Sequence, residues 1–194
     1  MGKTRIEAFS DGVIAIIITI MVLELKVPHG ATFRELLPLA PVFLSYVLSF
    51  IYVGIYWNNH HHLFEAVDSI SGKVLWANLH FLFWLSLIPF ASGWMGENEF
   101  ATVAVALYGA ILFMCAIAYS VLVRTLTRHR QANQALAEAI GSDRKEWLSL
   151  ALYLVGIGLA CIHPWLGCGM YFMVAAIWFI PDQRIESRLL RGKN

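Results

Sequence analysis

Charge is scarce in this sequence and unevenly placed. Only 14% of its 194 residues are Asp, Glu, Lys or Arg, 59% fall in the hydrophobic set, and mean hydropathy is +0.65. A soluble domain carries roughly 25% charged residues. Segments 74–96 and 100–123 hold no charged residue at all. An uncharged stretch of about 20 residues is what a hydrocarbon core of roughly 30 Å requires of a helix. The shortage therefore excludes a soluble fold.

Other absences narrow the class further. The three cysteines, Cys115, Cys161 and Cys168, lie in apolar stretches without CxxC spacing. That leaves no disulfide framework or zinc site and reads them as small apolar residues. A net charge of +1 gives no footing for a nucleic-acid partner. Glu24 and Lys26, not a small-residue cleavage site, follow the first apolar run, so that run is expected to be a retained helix. No catalytic motif, internal repeat, low-complexity tract or second domain is visible. A carbonyl filter of the TVGYG type and the Arg repeat of a voltage sensor are also missing.

What is present is a series of apolar runs at about 7–25, 38–64, 74–96, 100–123, 147–163 and 166–181. The last two form one uncharged stretch, 147–181, which as a straight helix would be about 50 Å long. His163, Pro164, Trp165, Leu166 and Gly167 supply a break in its middle. Charge parity favours two crossings there over one span plus a re-entrant piece. Arg124, Arg128, Arg130, Arg144 and Lys145 precede the stretch, and Arg184, Arg188, Arg191 and Lys193 follow it. Both sets read as cytosolic under the positive-inside rule, so an even number of crossings separates them. Alternating backwards places Lys3, Arg5 and Lys73 inside and leaves only Lys26 and Arg34 of the 14 basic residues outside. The expected fold is a single all-α transmembrane domain of six helices with both termini cytosolic. Residues 124–146 are expected to form a cytosolic loop, helical in part. The fourth run, with 24 uncharged residues, is expected to face lipid.

The first run is different. Only twelve uncharged residues separate Asp11 from Glu24, which covers roughly 18–20 Å of helix. To cross, this helix must carry a carboxylate into the membrane, and such a group turns toward a partner or water. The helix is therefore expected inside an assembly; the alternative is Asp11 at the interface as an N-terminal charge. The former fits a second pattern. Asn58, Asn59, His60, His61 and His62 end the second run, Asn78 and His80 begin the third, and Asp11 begins the first. Under the topology above all lie at one membrane depth, where they can satisfy one another. Gly12, Ile16, Thr19 and Leu23 share one helical stripe, with Ile20 beside it, and Asp11, Ala15, Ile18 and Val22 share a neighbouring one. Periodicity alone reads Ile16, Thr19 and Leu23 as packing residues, with Thr19 bonded to its own helix.

Arg5-x-x-x-Phe9-Ser10-Asp11-Gly12, with the Ile-rich run after it, resembles the signature of the transmembrane protein 175 family of potassium channels. Tyr56-Trp57-Asn58-Asn59-His60-His61-His62-Leu63-Phe64 resembles that family's second-helix element, and residues 78–90, with Trp84, Ser86 and Pro89, its third. The likeness covers about half the chain and fits the prokaryotic, single-repeat members. It implies a homotetramer in a prokaryotic plasma membrane, four copies of helix 1 around a central pore, potassium as permeant ion and no cofactor. By position, Ile16 would form the principal constriction, with Ile20 and Leu23 beyond it, and Thr19 a hydroxyl layer. Arg5, Phe9, Ser10, Asp11 and Gly12 would hold helix 1 in place, with His61 or His62, Asn78 and His80 as partners. Glu24 would attract cations at the outer mouth.

Two other classes compete. A metal-dependent membrane enzyme would use Asp11 and the histidines, yet consecutive histidines point about 100° apart and give no i,i+4 zinc pair. A proton-coupled or cation transporter would relay through Asp11 and the membrane histidines, but usually shows internal repeats and broken helices.

Overall fold

A computed structural model describes residues 2–67, 70–128 and 144–179. Every regular element among them is helical. They are α1 (Lys3–Leu23), α2 (Phe33–Leu36), a 3-10 turn (Leu37–Leu39), α3 (Ala40–Glu65), α4 (Gly72–Ser86), α5 (Ile88–Glu97), α6 (Thr102–Thr127), α7 (Arg144–Ala160) and α8 (Pro164–Phe179). Most of the loop expected over 124–146, and the end of the last run, lie outside the described residues.

Among the described residues four stretches are long and apolar enough to cross a membrane: Lys3–Leu23, Phe33–Glu65, Gly72–Glu97 and Thr102–Thr127. The helix α8 is apolar but has only 16 residues, and α7 has 17. These two pack on each other around the turn at 161–163, where Cys161, Ile162 and His163 bond back to Gly158 and Leu159 and Pro164 opens α8.

The third run is two helices, not one. Pro89 has no N–H to offer the carbonyl of Leu85, so α4 ends at Ser86 and α5 restarts at Ile88 with the proline in its first turn.

At the centre stands α6, against α4, α5, α7 and α8. Val105, Tyr108, Leu112, Cys115, Ala118, Leu122 and Leu126 are fully buried along it. This overturns the expectation that the fourth run faces lipid. Lack of charge suits lipid and protein interior equally; small and aromatic residues that admit close neighbours decide between them. Gly109 leaves space for the Tyr171 side chain of α8, whose hydroxyl donates to the carbonyl of Val105. Buried hydroxyls close further contacts. Ser49 donates to Ser92 at 2.8 Å and pairs with Tyr108 at 3.0 Å, and Ser92 donates to the carbonyl of Ser45. Gly96 brings α5 onto α3 so closely that a Cβ there would lie 2.7 Å from the Cα of Val42.

By contrast α1 sits at the edge of the bundle, on α3, α4 and α5. It buries only Ile6, Ser10, Ile14, Ile17 and Met21, whereas α6 is buried along much of its length.

Candidate functional site

Helix α1 buries a single stripe. Ile6, Ser10, Ile14, Ile17 and Met21, spaced four, four, three and four residues apart, face the bundle. Neither stripe singled out in the sequence is this one. Gly12, Ile16, Thr19, Ile20 and Leu23 are all exposed, Ile16 by 60% and Leu23 by 76%. Thr19 donates its hydroxyl to the carbonyl of Ala15, 2.9 Å away in its own helix. Asp11, Ala15 and Val22 are exposed on the adjoining side, as are Arg5 and Phe9.

Polar contacts fix the rotation of α1. Asn78 on α4 donates its amide to the Ser10 hydroxyl at 2.9 Å, and its carbonyl oxygen lies 2.9 Å from Nε2 of His60 on α3. All three side chains are buried, so each satisfies a group that water cannot reach. Beside this chain, Trp57 of α3 donates its indole N–H to the Asp11 carboxylate at 3.0 Å. Lys3 donates to the carbonyl of Glu65 at 3.0 Å, placing a positive charge at the C-terminal end of α3.

The histidines divide differently from the expectation. Asp11 takes an indole, not an imidazole. His61 is exposed and stacks on Trp57, with ring centroids 6.1 Å apart. His62 faces Glu65 one turn on, at 4.0 Å. His80 accepts the indole N–H of Trp84 within its own helix. Among the described histidines the buried one is His60, which shares the inward stripe of α3 with Ser45, Ser49, Tyr52 and Tyr56. That stripe was the signal for choosing it over its two neighbours, which point about 100° and 200° away. Among the described residues no three His, Cys, Asp or Glu side chains gather where a metal ion could be held.

At the opposite end of α1, Glu24, Lys26, Leu39, Val42 and Glu97 line an open cavity of about 340 Å³. Lys26 donates to Glu97 at 2.6 Å. The Glu24 carboxylate is turned onto Gly93 of α5, where a side chain would collide with it. Burial raises the Glu24 pKa above its ordinary value, and the neighbouring charge of Glu97 adds to the effect. The hydrogen bond to Glu97, then its charge, raises that of Lys26.

Residues 5–89 match the family described as endosomal/lysosomal potassium channel TMEM175. A potassium channel of a Chryseobacterium species is 56% identical over 97% of this chain and 98% of its own length. A second potassium channel, from Chamaesiphon minutus, is 34% identical over 90% of this chain and 92% of its own length. The crystal structure of a lysosomal potassium-selective channel TMEM175 homolog from Chamaesiphon minutus superposes with a TM-score of 0.79. It is 31% identical and covers 92% of this chain and 96% of its own.

Proposed function

Because the chain belongs to the TMEM175 family of potassium channels, membrane proteins and not enzymes, we propose that four copies conduct potassium through a pore lined by α1. The observation that carries this reading is the uncovered stripe of Gly12, Ile16, Thr19 and Leu23. The opposite side of α1 is locked to α3 and α4 by buried polar contacts, so this stripe has a defined direction. A helix with twelve uncharged residues between two carboxylates is ill suited to lie against lipid on that open side. Four such stripes around an axis would satisfy it.

In this arrangement Ile16 forms the principal constriction, Ile20 and Leu23 continue it outward, and Thr19 supplies a hydroxyl layer. An aliphatic ring closes by dewetting, without backbone carbonyls as ligands. The Thr19 bond to Ala15 still leaves the hydroxyl oxygen's lone pairs available to a passing cation. Signature residues Arg5, Phe9, Ser10, Asp11 and Gly12 set the orientation, with Asn78, His60 and Trp57 as the groups that hold Ser10 and Asp11. Glu24 sits at the mouth with Lys26 and Glu97, where its charge raises the local cation concentration. Six crossings with both termini cytosolic, in a prokaryotic plasma membrane, complete the proposal; α7 and α8 would be its two short spans.

Reconstitution tests it. Purified protein in liposomes should carry potassium down a gradient; vesicles that hold the protein yet stay tight to potassium would contradict the reading.

A further inference from the structure

The connection between α1 and α3 carries a small surface that nothing among the described residues covers. Val27 is 84% exposed, Phe33 89% and Leu37 70%, and Leu36 is half-exposed. At 100° per residue, Phe33, Leu36 and Leu37 fall on one side of the α2 turn and Arg34 and Glu35 on the other. The sides are separated further by Glu35, whose side chain folds back onto Gly30.

Length places this surface relative to the bilayer. With its 26 residues α3 is about 39 Å long, more than the roughly 30 Å of a hydrocarbon core. Its last eight residues include Asn58, Asn59 and the three histidines, and the 18 residues before them cover about 27 Å, so α2 and the 3-10 turn that precede them fall near the core boundary. Leu36, Leu37, Leu39 and Ala40 all keep right-handed helical backbone angles, so the 3-10 turn, with Pro38 in it, carries α2 directly into α3. On α3 the exposed apolar surface continues through Phe43, Leu44, Val47 and Phe50. The α2 face is thus an extension of a membrane-spanning helix's own uncovered side.

We propose that Phe33, Leu36 and Leu37 dock into the bilayer at the boundary between headgroups and acyl chains, and that Arg34 and Glu35 stay among the headgroups. An apolar face beside one charge of each sign suits such a boundary without requiring anionic lipid. This short foot anchors the segment that joins α1 to α3, next to the Lys26–Glu97 pair. The inference rests on the chain being a membrane protein and is independent of which residues line the pore.

Spin labels at single cysteines test it in the full-length protein in liposomes, in a Cys161→Ser background because Cys161 is the exposed native thiol. Phe33→Cys, Arg34→Cys, Glu35→Cys, Leu36→Cys and Leu37→Cys are each read for accessibility to oxygen, which partitions into lipid, and to a water-soluble nickel chelate. Positions 33, 36 and 37 should show an oxygen-to-nickel ratio severalfold above 34 and 35. Nickel access at 33, 36 and 37 equal to that at 34 and 35 would overturn the proposal in favour of a solvated loop. Low access to both reagents would overturn it in favour of burial against a second copy. Three positions report the apolar face, so poor folding of one variant leaves the other two to decide.

Discussion

Asn78 and Ser10 stand 2.9 Å apart across the contact between α4 and α1, the amide donating to the hydroxyl, with His60 on the amide's other end. This link joins three helices at one depth and gives α1 a fixed rotation, which is what turns Ile16 away from the bundle.

Removing the hub should cost more than removing an end. Asn78→Ala strands both Ser10 and His60 and is expected to lose about 1–3 kcal/mol. Ser10→Ala breaks one interhelical bond, for which about 0.6 kcal/mol is typical inside a membrane protein. Reversible unfolding in mixed micelles measures both. Equal losses would mean that His60 gains nothing from the amide.

Glu24 gives stability a pH dependence of known sign. Its folded-state pKa is raised by burial and by Glu97, so the folded chain holds this proton more tightly than the unfolded one. The group therefore adds stability as pH falls through its folded value, and that contribution is lost as pH rises through it. The window lies above 4.5, its ordinary value. Glu24→Gln should flatten this part of a melting-temperature profile and raise the melting temperature at neutral pH. Lys26 behaves separately, since its raised value keeps the pair with Glu97 intact until pH rises beyond the lysine range.

Helix α5 approaches α3 at Gly96, where a side chain would meet backbone. Gly96→Leu should destabilise by about 1–3 kcal/mol, the usual penalty of overpacking. Gly54→Ala, where no atom stands within 4 Å of the added carbon, should be tolerated. Thermal unfolding of the two variants separates them.

Ile16→Asn should raise potassium flux. Wetting the constriction lowers the barrier to an ion, and about 1.4 kcal/mol corresponds to a tenfold rise. Liposome flux at matched protein density reads the change. Ile14→Asn, in the buried stripe, should instead reduce folded protein without opening the pore.

How far the residues disclosed the fold depends on what each one could distinguish. Apolar run length and Pro164 located helices and the break between α7 and α8, because backbone satisfaction in lipid leaves few choices. The twelve-residue spacing from Asp11 to Glu24 marked α1 as unusual for the same reason. Uniform apolarity carries no information about neighbours, so the fourth run suits lipid by sequence although Tyr108, Gly109 and Cys115 pack at the centre. Pro89 interrupts the helix of the third run without interrupting its apolarity, so run length does not reveal it. Among the three histidines, proximity in sequence favoured none; only the inward stripe of α3 separates His60 from His61 and His62. The bond of Trp57 to Asp11 depends on how α1 and α3 are rotated, which no spacing within one helix encodes.

The central claim is that the open stripe of α1 lines the conduction path, and cysteine accessibility tests it most directly. In a Cys161→Ser background, potassium current through reconstituted Ile16→Cys or Leu23→Cys channels should be blocked by silver ions, which reach thiols through water. Ile17→Cys, with its side chain in the buried stripe, should conduct unaffected. Silver-insensitive current through both Ile16→Cys and Leu23→Cys would place the ion path elsewhere in the protein.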